Sequence, residues 1–187
     1  MLIEGIFQDV LEHHKQFYDY VTMIGVLEYG AVFSDHPKPF HSLLSLARGV
    51  LKPNGKLLVA IENKLGMKYF AGCREDHTGR FFESIEGYPH HDGPYTFSRN
   101  ELKAIANENG LMCQFFYPYP DYKFPVQLFS DEYLPQKGDL VRNWQNFDAD
   151  RITVFDEQKA YDTVIEAGLF PDFSNSYFVE MIRREDN

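Results

Sequence analysis

The sequence predicts an α/β fold with a mostly parallel sheet, and three stretches carry that prediction. Residues 18 to 30, YDYVTMIGVLEYG, gather Val21, Met23, Ile24, Val26 and Leu27 into one short apolar run. The run is too short to span a membrane and has the pattern of a strand buried on both faces, as in parallel sheets covered by helices. An amphipathic helix follows, opened by Pro37 and Pro39, with Phe40, Leu43, Leu44, Ala47, Val50 and Leu51 forming a single apolar stripe. Lys52-Pro53-Asn54-Gly55 supplies the stop, and Lys56-Leu57-Leu58-Val59-Ala60-Ile61 is a second apolar strand ending at Glu62-Asn63. Strand, helix and strand with short joints form a βαβ unit, which is parallel and right-handed. In such sheets ligands bind at the carboxyl ends of the strands, which points to Gly25 and Glu28.

The other elements follow in order. Leu2-Ile3-Glu4 is a stub of extended chain before Gly5-Ile6-Phe7-Gln8-Asp9, so the sequence is expected to open within an element. From Lys64 to Tyr95 no period appears; the stretch is rich in Gly, His and aromatic residues and is expected to be an insertion or lid, since long loops in compact domains are mostly functional or mobile. Ser98-Arg99-Asn100-Glu101 is a capping box, stapled by Phe97 and Leu102, that starts a helix running to Gly110. Met112 to Tyr117 is the next strand, broken by Pro118-Tyr119-Pro120-Asp121, and residues 118 to 150 are expected to be irregular. Asp156 caps a helix through Ala167 that Gly168 ends, and Ser176 to Ile182 is the last strand. With neither an internal repeat nor a linker, residues 1–187 are expected to form one domain.

Bulk properties narrow the function. Hydrophobic residues make up 44% and charged residues 25%, the balance of an ordinary soluble globular protein. The net charge of −10 argues against a nucleic-acid or anionic-membrane surface. Lys64, Lys68, Arg74 and Arg80 come nearest to a basic cluster, enough for one small anion. Cys73 and Cys113 have no CxxC spacing, which favours a reduced cytoplasmic protein over a disulfide framework.

The order EGIFQDV, YDYVTMIGVLEY, LLSLARGVLKPNGKLLVAIEN and YTFSRNELKAIANENGL resembles the later half of a class I S-adenosylmethionine-dependent methyltransferase. The resemblance covers roughly residues 1 to 117, with the last strand as the family's antiparallel one. It implies a Rossmann-like methyltransferase sheet lacking its first two strand-helix units, because no GxGxG turn occurs and the acidic ribose ligand of the second strand is missing. It implies S-adenosylmethionine as cofactor, with Ile24, Gly25 and Val26 along its methionine and ribose and Phe7 and Gln8 near its adenine. The family often carries an acidic residue where this chain has Ile6. The acceptor is expected to be a small molecule or glycan-like. The alternative is a non-catalytic truncated domain that serves as an interaction module.

Within the 64–95 segment, His77, His90 and His91 are candidate general bases and Asn63, Lys64, Tyr69 and Tyr88 candidate substrate contacts, since the segment follows a strand end. The aromatic set Tyr69, Phe70, Phe81, Phe82, Tyr88 and Tyr95 is open between a lid and core packing; Tyr117, Tyr119, Tyr122 and Phe124 are expected to pack. Cys73, His77, His90, His91 and Asp92 match no zinc spacing, so the expectation is solvent-exposed loop histidines and no metal. In the family's order the missing first strand lies beside the Tyr20–Leu27 strand, and two copies pairing along that edge are expected to form a homodimer.

Overall fold

The computed structural model describes residues 5, 9, 16–90, 93–143 and 150–184. Strand β1, Tyr18–Ile24, leads through a 3-10 turn at Leu27–Ala31 to helix α1, Pro39–Val50, and then to β2, Leu51–Glu62. A short helix α2, Met67–Phe70, and a looped segment precede α3, Arg99–Glu108, and β3, Leu111–Tyr119. Then come β4, Gln127–Ser130, helices α4, Glu157–Glu166, and α5, Phe170–Phe173, and finally β5, Ser176–Arg183.

The sheet order is β1-β2-β5-β3-β4. β1 and β2 are parallel, with Val21 opposite Leu57 and Met23 opposite Val59. β5 runs antiparallel to both β2 and β3, so β1, β2 and β3 share one direction and β5 is the reversed strand between them. β4 closes the far edge, antiparallel to β3.

Local signals account for these elements. In α3 the Ser98 side chain accepts from the Glu101 N–H and the Glu101 carboxylate accepts from the Ser98 N–H. The Asp156 side chain accepts from the Lys159 N–H and starts α4. Proline opens α1 at its first position, where a missing N–H is harmless.

Three expectations are corrected. Residues 118 to 150 are not wholly irregular: β3 continues through Pro118 to Tyr119, and β4 pairs with it, Pro118 lying opposite Leu128. β2 also begins earlier than Lys56, at Leu51. The strand expected to be buried on both faces is buried on one. In β1, Val21 and Met23 face the core while Tyr20 is 62% and Ile24 50% exposed.

The same asymmetry holds across the sheet. Leu57, Val59 and Ile61 of β2, Phe115 and Tyr117 of β3, and Val179 and Met181 of β5 join one core with Leu44, Leu102, Tyr161 and Phe170 of the helices. Alternate strand residues point the other way, and Tyr20, Ile24, Met112, Leu128 and Ile182 are exposed there. Among the described residues the helices therefore cover one face. No helix is long and apolar enough to cross a membrane among them. The Leu2-Ile3-Glu4 stub, Phe7, Gln8, His91 and Asp92 lie outside the described residues.

Candidate functional site

The carboxyl ends of β1 and β2 lie side by side, and three segments turn back over them. Gly25 follows β1 in the left-handed region, φ +63°, which glycine adopts without strain. A Cβ built there would stand 3.1 Å from the Tyr122 hydroxyl and 3.5 Å from Glu28 Oε1. The turn lets the Leu27–Ala31 segment fold so that Glu28 is buried above the strand end. β2 places Glu62 beside it, and the segment after α2 returns to add His77. One ligand atom each from Glu28, Glu62 and His77 lie within 4.8 Å of one another.

Partners orient these groups unequally. Glu75 accepts from the backbone N–H groups of His77 at 2.9 Å and Thr78 at 2.7 Å, and its other oxygen lies 3.1 Å from His77 Nδ1. Burial alone would raise Glu75, but these bonds hold it below the usual carboxylate range. An ionised carboxylate only accepts, so Nδ1 carries the proton and Nε2 points to Glu28 Oε1, 3.9 Å away. Burial works against the His77 imidazolium, yet the bond to Glu75 and the surrounding carboxylates carry its pKa upward. Burial pushes the Glu28 carboxyl up to about 7, against its own backbone hydrogen bond and with Glu62 adding to the rise. Lys123 Nζ meets Glu62 Oε1 at 3.2 Å. Burial and the carboxylates Glu62 and Glu28 raise the Tyr122 phenol, which bonds to Glu62. Oε2 of Glu28 and Oε2 of Glu62 are both buried with no hydrogen-bond partner.

A second ionic cluster lies next to the first. Lys68 Nζ donates to Asp76 at 2.8 Å and to Asp121 at 2.9 Å, and the Tyr69 hydroxyl donates to Asp76 at 2.8 Å. Each of its charged groups has a hydrogen-bonded partner.

The structure separates the residues singled out from sequence. His77 joins the carboxylate group; its side chain is only 9% exposed, against the expectation of a solvent-exposed loop histidine, because Glu75 and the Tyr29 ring enclose it. His90 has a side chain 61% exposed and turns to Glu83, away from His77. Ile24 and Val26 are exposed at the strand end, beside Gly25. Asn63 is not open to a substrate: its side chain donates to the carbonyls of Asp172 and Ser174 and accepts from the Leu65 N–H. Tyr69 is fully buried on Asp76, and the Tyr88 hydroxyl is held by Thr96 and Glu75. Lys64 pairs with Glu101 of α3. The aromatic set resolves toward packing, with Tyr88 on Tyr95 and Tyr95 on Phe40 of α1. Of the four aromatic residues expected to pack, Tyr117 and Tyr119 do so, whereas Tyr122 reaches the carboxylates and Phe124 is exposed.

Sequence reasoning marked Glu28 only as a neighbour of Gly25 and did not select Glu62, Glu75, Tyr122 or Lys123. Two signals were present: Glu62 ends an otherwise apolar strand, and Glu75 stands two positions before His77.

A surface cavity of about 360 Å³ lies elsewhere, bordered by Asn143, Arg151, Phe155 and Glu157. It is distant in sequence from these groups, and its charges are Asp156 and the Arg151–Glu157 pair at 2.7 Å.

No family model matches the chain, and no curated protein matches its sequence. Solved structures with a similar shape include an S-adenosylmethionine-dependent methyltransferase from Archaeoglobus fulgidus, 16% identical over 96% of this chain and 66% of that one, TM-score 0.47. Another is a Thermotoga maritima protein described as an S-adenosylmethionine-dependent methyltransferase, 12% identical over 91% of this chain and 58% of that one, TM-score 0.45. A third is phosphoethanolamine N-methyltransferase 2 of Haemonchus contortus in complex with S-adenosyl-L-methionine, 15% identical over 92% of this chain and 34% of that one, TM-score 0.44. The chain thus spans between 34% and 66% of the length of these three structures.

Proposed function

We propose that the chain is part of an S-adenosylmethionine-dependent methyltransferase acting on a small-molecule or glycan-like acceptor. The observation that carries the reading is the sheet: parallel β1, β2 and β3 with the reversed β5 between β2 and β3, where the family resemblance of the sequence implies a mostly parallel sheet with an antiparallel last strand. The fit to the cofactor is partial. Gly25 keeps the strand end free of a side chain, and Ile24 and Val26 offer exposed apolar surface beside it. No Gly-rich turn is present to cradle the rest.

Bound S-adenosylmethionine would supply an electrophilic methyl group. This chain's own residues act on the acceptor. Glu28 Oε2, buried and unpartnered, is placed to take the proton of an acceptor hydroxyl or ammonium. Glu75 fixes the tautomer of His77 and so directs Nε2 at Glu28. Tyr122 closes the crevice above Gly25 and limits water there.

The test is a nuclear magnetic resonance titration of the chain with S-adenosylhomocysteine into the millimolar range. With the Gly-rich turn missing, several hydrogen bonds of roughly 1 kcal/mol each are lost, so weak binding is expected. Shifts should concentrate at Ile24, Gly25, Val26 and Glu28; shifts absent or gathered elsewhere would sink the reading.

A second reading, an interaction module, is favoured by a sheet face that the described residues leave uncovered and by β1, which is an edge among them. Exposed apolar edges invite pairing. On this reading light scattering over a concentration series should show association into a homodimer, and a chain that remains monomeric throughout would rule out pairing of copies.

A further inference from the structure

We propose that Glu28, Glu62 and His77 form a binding site for one divalent first-row metal ion. The inference goes beyond methyl transfer and its binding test does not depend on it; with an ion bound, Glu28 would be a ligand rather than a free base.

The geometry asks for a positive charge. With Nδ1–H committed to Glu75, a neutral His77 presents the lone pair of Nε2 to Glu28 Oε1 at 3.9 Å. Two acceptors facing each other in a buried space are relieved by a proton or a metal ion between them, and at 3.9 Å the pair is wider than a hydrogen bond. Glu28 and Glu62 have side chains only 2% exposed, and each keeps one oxygen without a partner. Such oxygens are costly to leave unmatched inside a protein. The Lys68 Nζ that might have answered them is held by Asp76 and Asp121. Lys123 meets Glu62 through Oε1, with a side chain 30% exposed.

The surroundings match what metal ligands need. A coordinating imidazole gives its other N–H to a carboxylate, which orients the ring, and Glu75 does this for His77. Ligand atoms on one ion with bonds near 2.1 Å sit about 3–3.5 Å apart. The present spread of up to 4.8 Å is brought to that by small side-chain rotations. Two carboxylates and one imidazole suit Mn²⁺, Fe²⁺ or Zn²⁺ better than Ca²⁺, which takes oxygen throughout. Three protein ligands leave further coordination positions to fill, and the Tyr122 hydroxyl, 3.1 Å from where a Cβ on Gly25 would stand, borders them. A hydroxyl bound there would lose its proton more readily, as water does on catalytic metals.

The experiment uses the chain stripped with a chelator and dialysed, then titrated with Mn²⁺ under electron paramagnetic resonance. One saturable site per chain is expected. Electron spin echo of the loaded wild type should show ¹⁴N coupling from one imidazole. His77→Gln and Glu62→Gln should weaken binding at least about tenfold, and Glu75→Gln, which only positions the ring, about tenfold. His36→Gln, a control at an exposed histidine, should change nothing. No saturable site below about 1 mM, a site without ¹⁴N coupling, or binding unchanged in His77→Gln would each overturn the proposal. Should the variants fail to fold, the wild-type spin-echo result decides alone. Failure of the S-adenosylhomocysteine titration leaves this result standing.

Discussion

Two buried ionic clusters share the same pair of loops and are balanced in opposite ways. Asp76 and Asp121 converge on Lys68, so one ammonium meets two carboxylates and the Tyr69 hydroxyl supplies a further donor. One residue further along the first loop His77, and two along the second Lys123, belong to the other cluster, where Glu28 and Glu62 keep unmatched oxygens. The Lys68 cluster is a finished structural knot. It fastens α2 to the segment after β3, and the Asn175 side chain adds a bond to the Lys68 N–H and another to the Pro120 carbonyl. The Glu28 cluster holds an uncompensated arrangement in place through neighbours that are themselves satisfied. Folding alone gains nothing from such an arrangement, and perturbed groups of this kind gather at functional sites.

The largest effect is expected from Lys68→Met, which strands two buried carboxylates. Breaking a buried ion pair by removing one partner costs about 3–5 kcal/mol. Urea unfolding should show a loss in that range, and a loss under about 1 kcal/mol would mean that the knot is not what fastens these segments.

Gly25→Ala comes next. An alanine at φ +63° with its Cβ 3.1 Å from the Tyr122 hydroxyl combines backbone strain with a tight contact. The strain alone is about 1–2 kcal/mol. The variant should lose about that much in urea unfolding, and the Tyr122 resonances should move. An unstrained, equally stable Gly25→Ala would place Tyr122 away from the crevice.

Glu28→Gln is the sharpest contrast with Lys68→Met. It removes a buried charge that lacks a full set of partners, so in chelator the variant should be as stable as the parent or up to about 1 kcal/mol more stable. A loss comparable to that of Lys68→Met would show the two clusters to be alike.

The smallest effect belongs to the uncovered face. Ile24→Thr, at a position 50% exposed, should stay within about 0.5 kcal/mol by thermal or urea unfolding. A larger loss would mean that this face is covered in solution.

Much of the architecture is legible in sequence because it depends on neighbours along the chain. The stripe from Phe40 to Leu51 and the Pro-Asn-Gly stop define α1, the Ser98–Glu101 box starts α3, and Asp156 starts α4. The apolar runs mark β1, β2 and β5. β4 was not legible, since Gln127–Ser130 is short and gains its pairing only from β3.

The site was legible in its outline alone. Gly25 and Glu28 follow from a strand end, and a histidine-bearing segment after β2 has to overhang it. Which histidine enters is decided by packing: Glu75 and Tyr29 draw His77 inward, while His90 finds Glu83 at the surface. Asn63, Tyr69 and Tyr88 have the right chemistry for ligand contact, but the fold uses up their polar atoms internally. The sequence by itself determined the longer helices with their caps, the strands β1, β2, β3 and β5, and the direction of β1 and β2, because helix and strand periods are local properties of a few consecutive residues. Only the tertiary structure decided that one sheet face is uncovered among the described residues and that Glu28, Glu62 and His77 meet. These outcomes depend on how distant segments close against one another and on which buried charges are left unmatched when they do.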